Sequence, residues 1–251
     1  MRLEAPLLEA SLVQRENRFR ARVLLRGEEV AAHVPNSGRL TELFSSGQRV
    51  LVREARAPHR VTDYDLLMVN LGHQLISVDA RLPNKLFSEA IAAGTLAEFR
   101  GLKVEKREFV QGDSRLDFLL QNETSGERCL VEVKSVTLVQ DGVARFPDAV
   151  TKRGRRHLTE LRESLSKGLG AMVVFVVQRG DARLFAPHWE SDPAFGEQLG
   201  RVARDGVEVY AYGCQVSQQE VRLSYRLPVV LPTGEGVEAG GRVWSTHRMI
   251  P

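Results

Sequence analysis

The sequence predicts an α/β protein, a mixed β-sheet flanked by helices, with a small β-barrel joined to its N-terminal side. Three observations carry this prediction. Residues 1–80 alternate short apolar segments with turn formers and contain no convincing long helix, the pattern of a barrel or sandwich of short strands. From residue 83 onward, strand-like and helix-like periods alternate, the order expected of a sheet with helices packed on it. Ala171-Met172-Val173-Val174-Phe175-Val176-Val177 is apolar on both faces, as a strand covered on two sides must be.

In the first 80 residues the predicted strands are 7–15, 18–25, 29–33, 48–54, 65–70 and 74–78. That number in that length suits a five-stranded barrel of the oligonucleotide-binding kind. Along 18–23, Arg18, Arg20 and Arg22 take one face while Phe19, Ala21 and Val23 take the other, toward the core. Three like charges on one face repel unless something anionic neutralises them, which makes a nucleic-acid backbone an expected occupant. A solvated face offset by Glu16, Glu28 and Glu29 is the alternative. His33-Val34-Pro35-Asn36-Ser37-Gly38-Arg39-Leu40 carries the Asn and Gly of a tight turn with positive φ.

Pro83-Asn84 reads as a domain boundary and helix cap, and 85–99 as a helix that offers Leu86, Ala90, Ile91 and Phe99 to a core. Strands are expected at 102–110, 115–120 and 129–134. Phe146-Pro147-Asp148 opens a helix over 149–165, with Val150, Leu158, Leu161, Leu165 and Gly154 on one stripe. Asp192-Pro193 caps a further helix to 204, followed by a strand at 207–212. Val221 to Leu227 is strand-like, whereas Pro232-Thr233-Gly234-Glu235-Gly236 and Gly240-Gly241 read as a loose tail. The division is a barrel at 1–82, an α/β domain at 83–219 and a C-terminal extension at 220–251.

Composition narrows the function classes. With 251 residues and 43% hydrophobic content, the chain can bury a sizeable core. Net charge is only +3, and residues 1–80 hold 11 basic against 10 acidic side chains, so nucleic-acid binding has to come from local patches. Cys129 and Cys214 form neither a disulfide framework nor a metal-ligand spacing. The first residues lack a signal-peptide hydrophobic region, and the longest apolar run, 171–177, is too short to span a bilayer. A cytoplasmic protein with no membrane partner is expected, and a homo-oligomer is compatible with this composition.

The candidates for chemistry lie on the two central strands. Glu132 and Lys134 share a strand face, and the turn formers of 121–127 allow a hairpin that brings Asp117 beside Glu132. Two carboxylates at one place invite a hard cation, Mg²⁺ or Mn²⁺, and a neighbouring lysine can help activate a water or balance phosphate charge. Phosphodiester hydrolysis needs those three parts, although the same spacing recurs on solvated strand faces. Lys134 also departs from a strong arginine bias, 29 Arg against six Lys, and a compact ammonium is not interchangeable with guanidinium near a reacting water. Thr151, Lys152, Arg153, Arg155, Arg156 and His157 crowd a helix start. Cations there oppose the helix dipole by ~0.3–1 kcal/mol each, so phosphate binding is the expected reason for them. His157 is also a candidate for proton transfer. Gln178, which ends the buried strand, is a further candidate contact.

Four ordered blocks resemble the sugar fermentation stimulation protein family: the 33–40 segment above, Ser114-Arg115-Leu116-Asp117-Phe118, Val131-Glu132-Val133-Lys134-Ser135, and Phe146-Pro147-Asp148-Ala149-Val150-Thr151-Lys152-Arg153-Gly154 followed by His157-Leu158. The resemblance runs from about residue 10 to 215. It implies an N-terminal OB-fold barrel joined to a restriction-endonuclease-like domain of the PD-(D/E)xK type. It also implies DNA as partner and a metal-dependent nuclease activity, with a non-catalytic DNA-binding regulator of sugar-utilisation genes as the alternative. In that pattern Asp117 and Glu132 would be Mg²⁺ ligands, Lys134 would act on the attacking water, and Glu89 would approach from the first helix.

Overall fold

A computed structural model describes residues 1–3, 6–112 and 114–231. The glycine-rich tail anticipated from Pro232 lies outside the described residues. The barrel comprises β1 (Leu8–Asn17), β2 (Arg20–Leu25), β3 (Glu28–His33), β4 (Arg49–Glu54), β5 (Tyr64–Asn70) and β6 (Leu75–Ser77). Their order is β3-β2-β1-β4-β5-β6, and a parallel pairing of β3 with β5 closes the first five strands on themselves. Period-two alternation drives the closure. Ala21, Val23 and Leu25 of β2 point inward onto Leu12, Val34, Val50 and Leu66. Between β2 and β3, Arg26 and Gly27 at φ 53° and 89° form the left-handed two-residue turn that matches strand twist.

The preceding hairpin departs from the expected alternation. β1 ends at Asn17, whose side chain accepts a hydrogen bond from Phe19 N at 2.9 Å. This Asx turn lifts Arg18 and Phe19 out of the strand, so Phe19 is 51% exposed instead of inside the barrel. The 33–40 segment corrects another expectation, because its positive φ falls at Leu40 (52°) and not at Asn36 or Gly38.

The second unit contains β7 (Leu102–Gln111), β8 (Ser114–Asn122), β9 (Arg128–Val136), β10 (Val139–Gln140), β11 (Val143–Phe146), β12 (Gly170–Val177), β13 (Leu184–Pro187), β14 (Glu208–Val216) and β15 (Val221–Leu227), with helices α1 (Leu82–Ala92), α2 (Lys152–Leu165) and α3 (Pro193–Arg204). Six strands form a mixed sheet in the order β15-β14-β12-β9-β8-β7, with β12 parallel to both neighbours. Alternate residues of β12 feed two cores. Val174 and Val176 pack with Leu86, Phe87 and Ile91 of α1, and Val173 and Phe175 with Leu158, Leu161, Phe195 and Leu199 of α2 and α3.

Several boundaries differ from expectation for identifiable reasons. α1 begins at Leu82 with Arg81 as its N-cap residue. Pro83 therefore lies in the first turn, where its missing N–H is no loss, and Asn84 is free to point elsewhere. α2 begins only at Lys152, because the Thr151 side chain caps it by accepting from Gly154 N at 3.0 Å. Val150 consequently lies outside the stripe and is exposed. β15 pairs antiparallel with β14 and completes the sheet, so 221–227 are part of the α/β unit and not of an extension. The small sheet β10-β11-β13 has strands of two to four residues, too short to show a period in the sequence.

Specific bonds join the two units. Buried Asp65 of the barrel accepts from Arg53 and Arg81, each at 3.3 Å, and from Arg60 at 2.5 Å. Gln178 does not serve the site as expected: it accepts from Ser77 Oγ of the barrel and donates to Ser135 Oγ of β9, both at 3.0 Å. Arg39 N donates to Asp148 Oδ2 at 2.5 Å, which brings the 33–40 and 146–154 blocks together. Gly38 is needed there for space, since a Cβ would lie 2.7 Å from Asp148 Oδ2. Gly38→Ala is expected to cost about 1–3 kcal/mol through overpacking, read as a lowered urea midpoint. An unchanged midpoint would mean the loop yields freely.

Candidate metal centre and nucleic-acid interface

The site forms where two paired strands part. The β8–β9 ladder ends at Phe118↔Val131, while β8 stays paired with β7 down to Ser114 and β9 stays paired with β12 up to Val136. Past that point β9 has lost its β8 partner, and a backbone N–H left unpaired in a half-buried cleft is costly. The Asp117 side chain takes over, accepting from Val133 N at 2.8 Å. Asn84 Nδ2 of α1 donates to the other Asp117 oxygen at 2.6 Å.

Glu132 is 4% exposed on the neighbouring strand. Its Oε1 accepts from Lys134 Nζ at 2.5 Å and from His157 Nδ1 of α2. His157 Nε2 in turn accepts from Arg153 Nε at 3.4 Å, so the network assigns the proton to Nδ1. Glu132 Oε2 is buried with no hydrogen-bond partner among the described residues. Such an atom is expensive unless something satisfies it.

The two carboxylates are driven apart in acidity. Burial, then the nearby Glu132 charge, pushes the Asp117 carboxyl up to about 6, against the pull of Val133 N–H, Asn84 and Lys134. Burial would raise Glu132 as well, but the His157 hydrogen bond and the Lys134 charge outweigh it and hold Glu132 below its ordinary value. Among the described residues no group of three or more His, Cys, Asp or Glu is gathered as a metal cage. The donor set on offer is two carboxylates with one free buried oxygen. That fits a hard cation such as Mg²⁺ or Mn²⁺, which keeps several waters and needs few protein ligands, and it does not fit a soft metal.

The structure sorts the remaining candidates. Asp117, Glu132 and Lys134 come together as expected. Glu89 does not join them: it is 56% exposed at its side chain and pairs with the Met1 amino group at 2.8 Å. Five residues along the helix from Asn84, it points away from the sheet. Thr151 is a helix cap, and Arg155 pairs with buried Asp192 at 2.7 Å, so neither presents a free group to solvent. His157 is 1% exposed with both ring nitrogens engaged inside the protein, which corrects its placement among surface contacts. Arg156 Nε donates to Ser114 Oγ at 3.0 Å, next to the split. Lys152, Arg153 and Arg156 are the exposed cations of the cluster. On the barrel, Glu16 pairs with Arg20 at 2.7 Å and with Arg22 at 3.1 Å, and Glu29 pairs with Arg22 at 3.3 Å.

Asn84 and Ser114 carry no sequence signal that marks them for the site. Asn84 resembles a cap, and nothing local links Ser114 to a helix 42 positions away. No helix among the described residues is long and apolar enough to cross a membrane.

Comparison with known proteins accounts for both units. The model of the SfsA N-terminal OB domain matches residues 13–78, and that of the sugar fermentation stimulation protein RE domain matches 81–220. A sugar fermentation stimulation protein homolog of Caldanaerobacter subterraneus subsp. tengcongensis is 43% identical over 231 residues, covering 92% of this chain and all of that protein. Its counterpart from Moorella thermoacetica is 44% identical over 222 residues, covering 88% and 95%. The structure of Pyrococcus furiosus SfsA in complex with Ca²⁺ is similar with a TM-score of 0.84 at 30% identity, covering 92% of this chain and 98% of that one. The architecture is accordingly an OB barrel followed by a restriction-endonuclease-like mixed sheet. With both units matched in order and relatives similar across nearly their whole length, the chain belongs to the sugar fermentation stimulation protein family.

Proposed function

We propose that the protein binds DNA and hydrolyses a phosphodiester bond with Mg²⁺ or Mn²⁺ held by Asp117 and Glu132. The observation that supports this best is Glu132 Oε2, a buried carboxylate oxygen without a partner among the described residues, beside Lys134 where β8 and β9 part. A cation bound there would polarise a phosphate oxygen and help generate a nucleophile from water at neutral pH. Lys134 would steady the attacking water or the developing phosphate charge. His157 would hold the Glu132 side chain in one orientation, and Lys152, Arg153 and Arg156 would bind the phosphodiester backbone. The Ca²⁺ in the Pyrococcus furiosus relative supports divalent-metal binding in this family.

One observation favours the second reading, a DNA-binding regulator without turnover. Glu132 Oε1 is already neutralised by the Lys134 ammonium and hydrogen-bonded by His157, an arrangement that needs no metal. Labelled single-stranded, duplex and branched DNA, incubated with Mg²⁺ or Mn²⁺ and with a chelator control, separates the two. Chelator-sensitive products support hydrolysis. Binding without cutting on every substrate supports the regulator.

The cationic rim gives a graded expectation. Lys152→Gln, Arg153→Gln and Arg156→Gln together should flatten the plot of log K against log salt by up to about 0.9 for each duplex phosphate no longer neutralised. Arg20→Gln with Arg22→Gln should change the slope much less, because Glu16 and Glu29 already neutralise that face. Equal effects in a salt-dependent binding titration would contradict this assignment.

The raised Asp117 carboxyl predicts a pH effect. The folded protein takes up this proton near pH 6, well above the ordinary 3.8. The metal-free fold therefore gains stability from Asp117 as pH falls from above 6 towards 4. Glu132 acts oppositely, its contribution being lost only as pH falls through its lowered value. Because a proton competes with the cation, Mn²⁺ affinity should weaken by up to about tenfold per pH unit below 6. A carboxyl carbon NMR titration of Asp117 checks this, and a midpoint of 4 or lower contradicts the role given to burial.

A further inference from the structure

Phe19 is a large aromatic side chain, 51% exposed on a hairpin tip where the polar turn chemistry alone would favour a small or charged residue. Single exposed apolar residues are ordinary on protein surfaces, so exposure by itself means little. The backbone of this one is held at both ends. Phe19 N donates to Asn17 Oδ1 at 2.9 Å, and Phe19 O accepts from Val34 N at 2.9 Å and from His33 Nδ1 at 3.0 Å. The His33 ring lies near-parallel to the Phe19 ring, at 21° with centroids 6.4 Å apart. The tip thus presents two near-parallel aromatic planes on an anchored backbone.

Its surroundings are cationic and lead to the metal centre. One guanidinium, Arg15, donates to the Arg18 and Gly38 carbonyls at 2.8 Å each, lacing the hairpin tip to the loop that carries Arg39. The Arg18 and Arg39 side chains are exposed and have no carboxylate partner among the described residues. Arg39 N in turn meets Asp148, three residues before the Thr151 cap of α2. The hairpin tip with Arg18 and Phe19 thus touches the loop of Arg39, and that loop touches the segment leading into α2, which begins at Lys152 and carries His157 to Glu132.

We propose that Phe19, backed by His33, is a stacking platform for an unpaired nucleobase, with Arg18 and Arg39 taking the flanking phosphates, so that a single-stranded segment runs from the barrel to the metal centre. This rests on the DNA-binding reading above. An unpaired base offers a free π-face, and stacking on an aromatic side chain tolerates any base. A base inside a duplex has both faces covered by its neighbours, so the ring discriminates single strand from duplex. Stacking neutralises no phosphate, which separates it from the charge contribution.

The test is fluorescence anisotropy with labelled oligothymidylate and with a duplex of mixed sequence, over a salt series, for the parent protein, Phe19→Ala and Phe19→Trp. Phe19→Ala is expected to weaken oligothymidylate binding by roughly 5- to 100-fold, with an unchanged salt slope and duplex binding altered less than about twofold. Phe19→Trp should bind as the parent does or more tightly. The ring sits outside the core, and a thermal unfolding control on each variant should match the parent. Parent-like single-strand binding by a folded Phe19→Ala overturns the stacking site while leaving DNA binding intact. An equal loss on both DNA forms, or a changed oligomeric state with DNA binding unaltered, assigns the ring to another role and also overturns it. A parent that binds neither DNA form overturns the DNA-binding reading itself, and the stacking site falls with it.

Discussion

Replacing Lys134 by alanine is expected to lower the rate of DNA cleavage by about 10²- to 10⁴-fold while DNA affinity changes less than about twofold, because a group acting at the transition state contributes to turnover more than to ground-state binding. Lys134 lies on the same strand face as Glu132, two residues along, with its ammonium on Glu132 Oε1 at 2.5 Å. It is largely buried, and a delocalised guanidinium in its place would be bulkier and far harder to deprotonate. Lys134→Arg should therefore rescue little. Single-turnover cleavage beside an anisotropy titration measures both quantities. Parallel loss of affinity and rate would reduce Lys134 to a phosphate contact, and unimpaired cleavage would leave it only the task of neutralising Glu132.

Asp192→Ala should destabilise the fold by about 3–5 kcal/mol, the scale for removing one partner of a buried ion pair. Asp192 caps α3 by accepting from Phe195 N at 3.1 Å, and also accepts from Thr151 N at 2.8 Å and Arg155 at 2.7 Å. One carboxylate thus fixes the starts of two helices, including the one that delivers His157 to Glu132. Asp192→Asn keeps a competent cap and should cost less. Urea unfolding at neutral pH decides it, and a loss under about 1 kcal/mol for the alanine variant would show that α2 is anchored elsewhere.

What is legible in the sequence is what short-range periodicity controls. The barrel strands follow from alternation of two residues, and β12 follows from its unbroken apolar run. Asp117, Glu132 and Lys134 are legible because one hairpin relates them. The split that makes them a site is not, since it depends on β8 parting from β9 to follow β7 while β9 stays on β12, a strand that begins at Gly170. Charged residues mislead wherever their partners are remote. Arg155 looks like part of a phosphate cluster until Asp192, 37 positions on, claims it. Glu89 looks like a helical acid for the site, but its side chain is exposed and claimed by the Met1 amino group from the far end of the sequence. Phe19 departs from expectation for a local reason, the Asn17 turn, which delays the strand expected from residue 18 until Arg20.

The central claim is that Asp117 and Glu132 hold a divalent cation, and Mn²⁺ titration calorimetry on the parent, Asp117→Ala and Glu132→Ala measures it directly. The parent should show one site of micromolar to millimolar affinity, as an order-of-magnitude expectation of about 10⁻⁶–10⁻³ M for an open carboxylate site, and each variant should lose it. Titrations of both variants that superimpose on that of the parent would contradict the account.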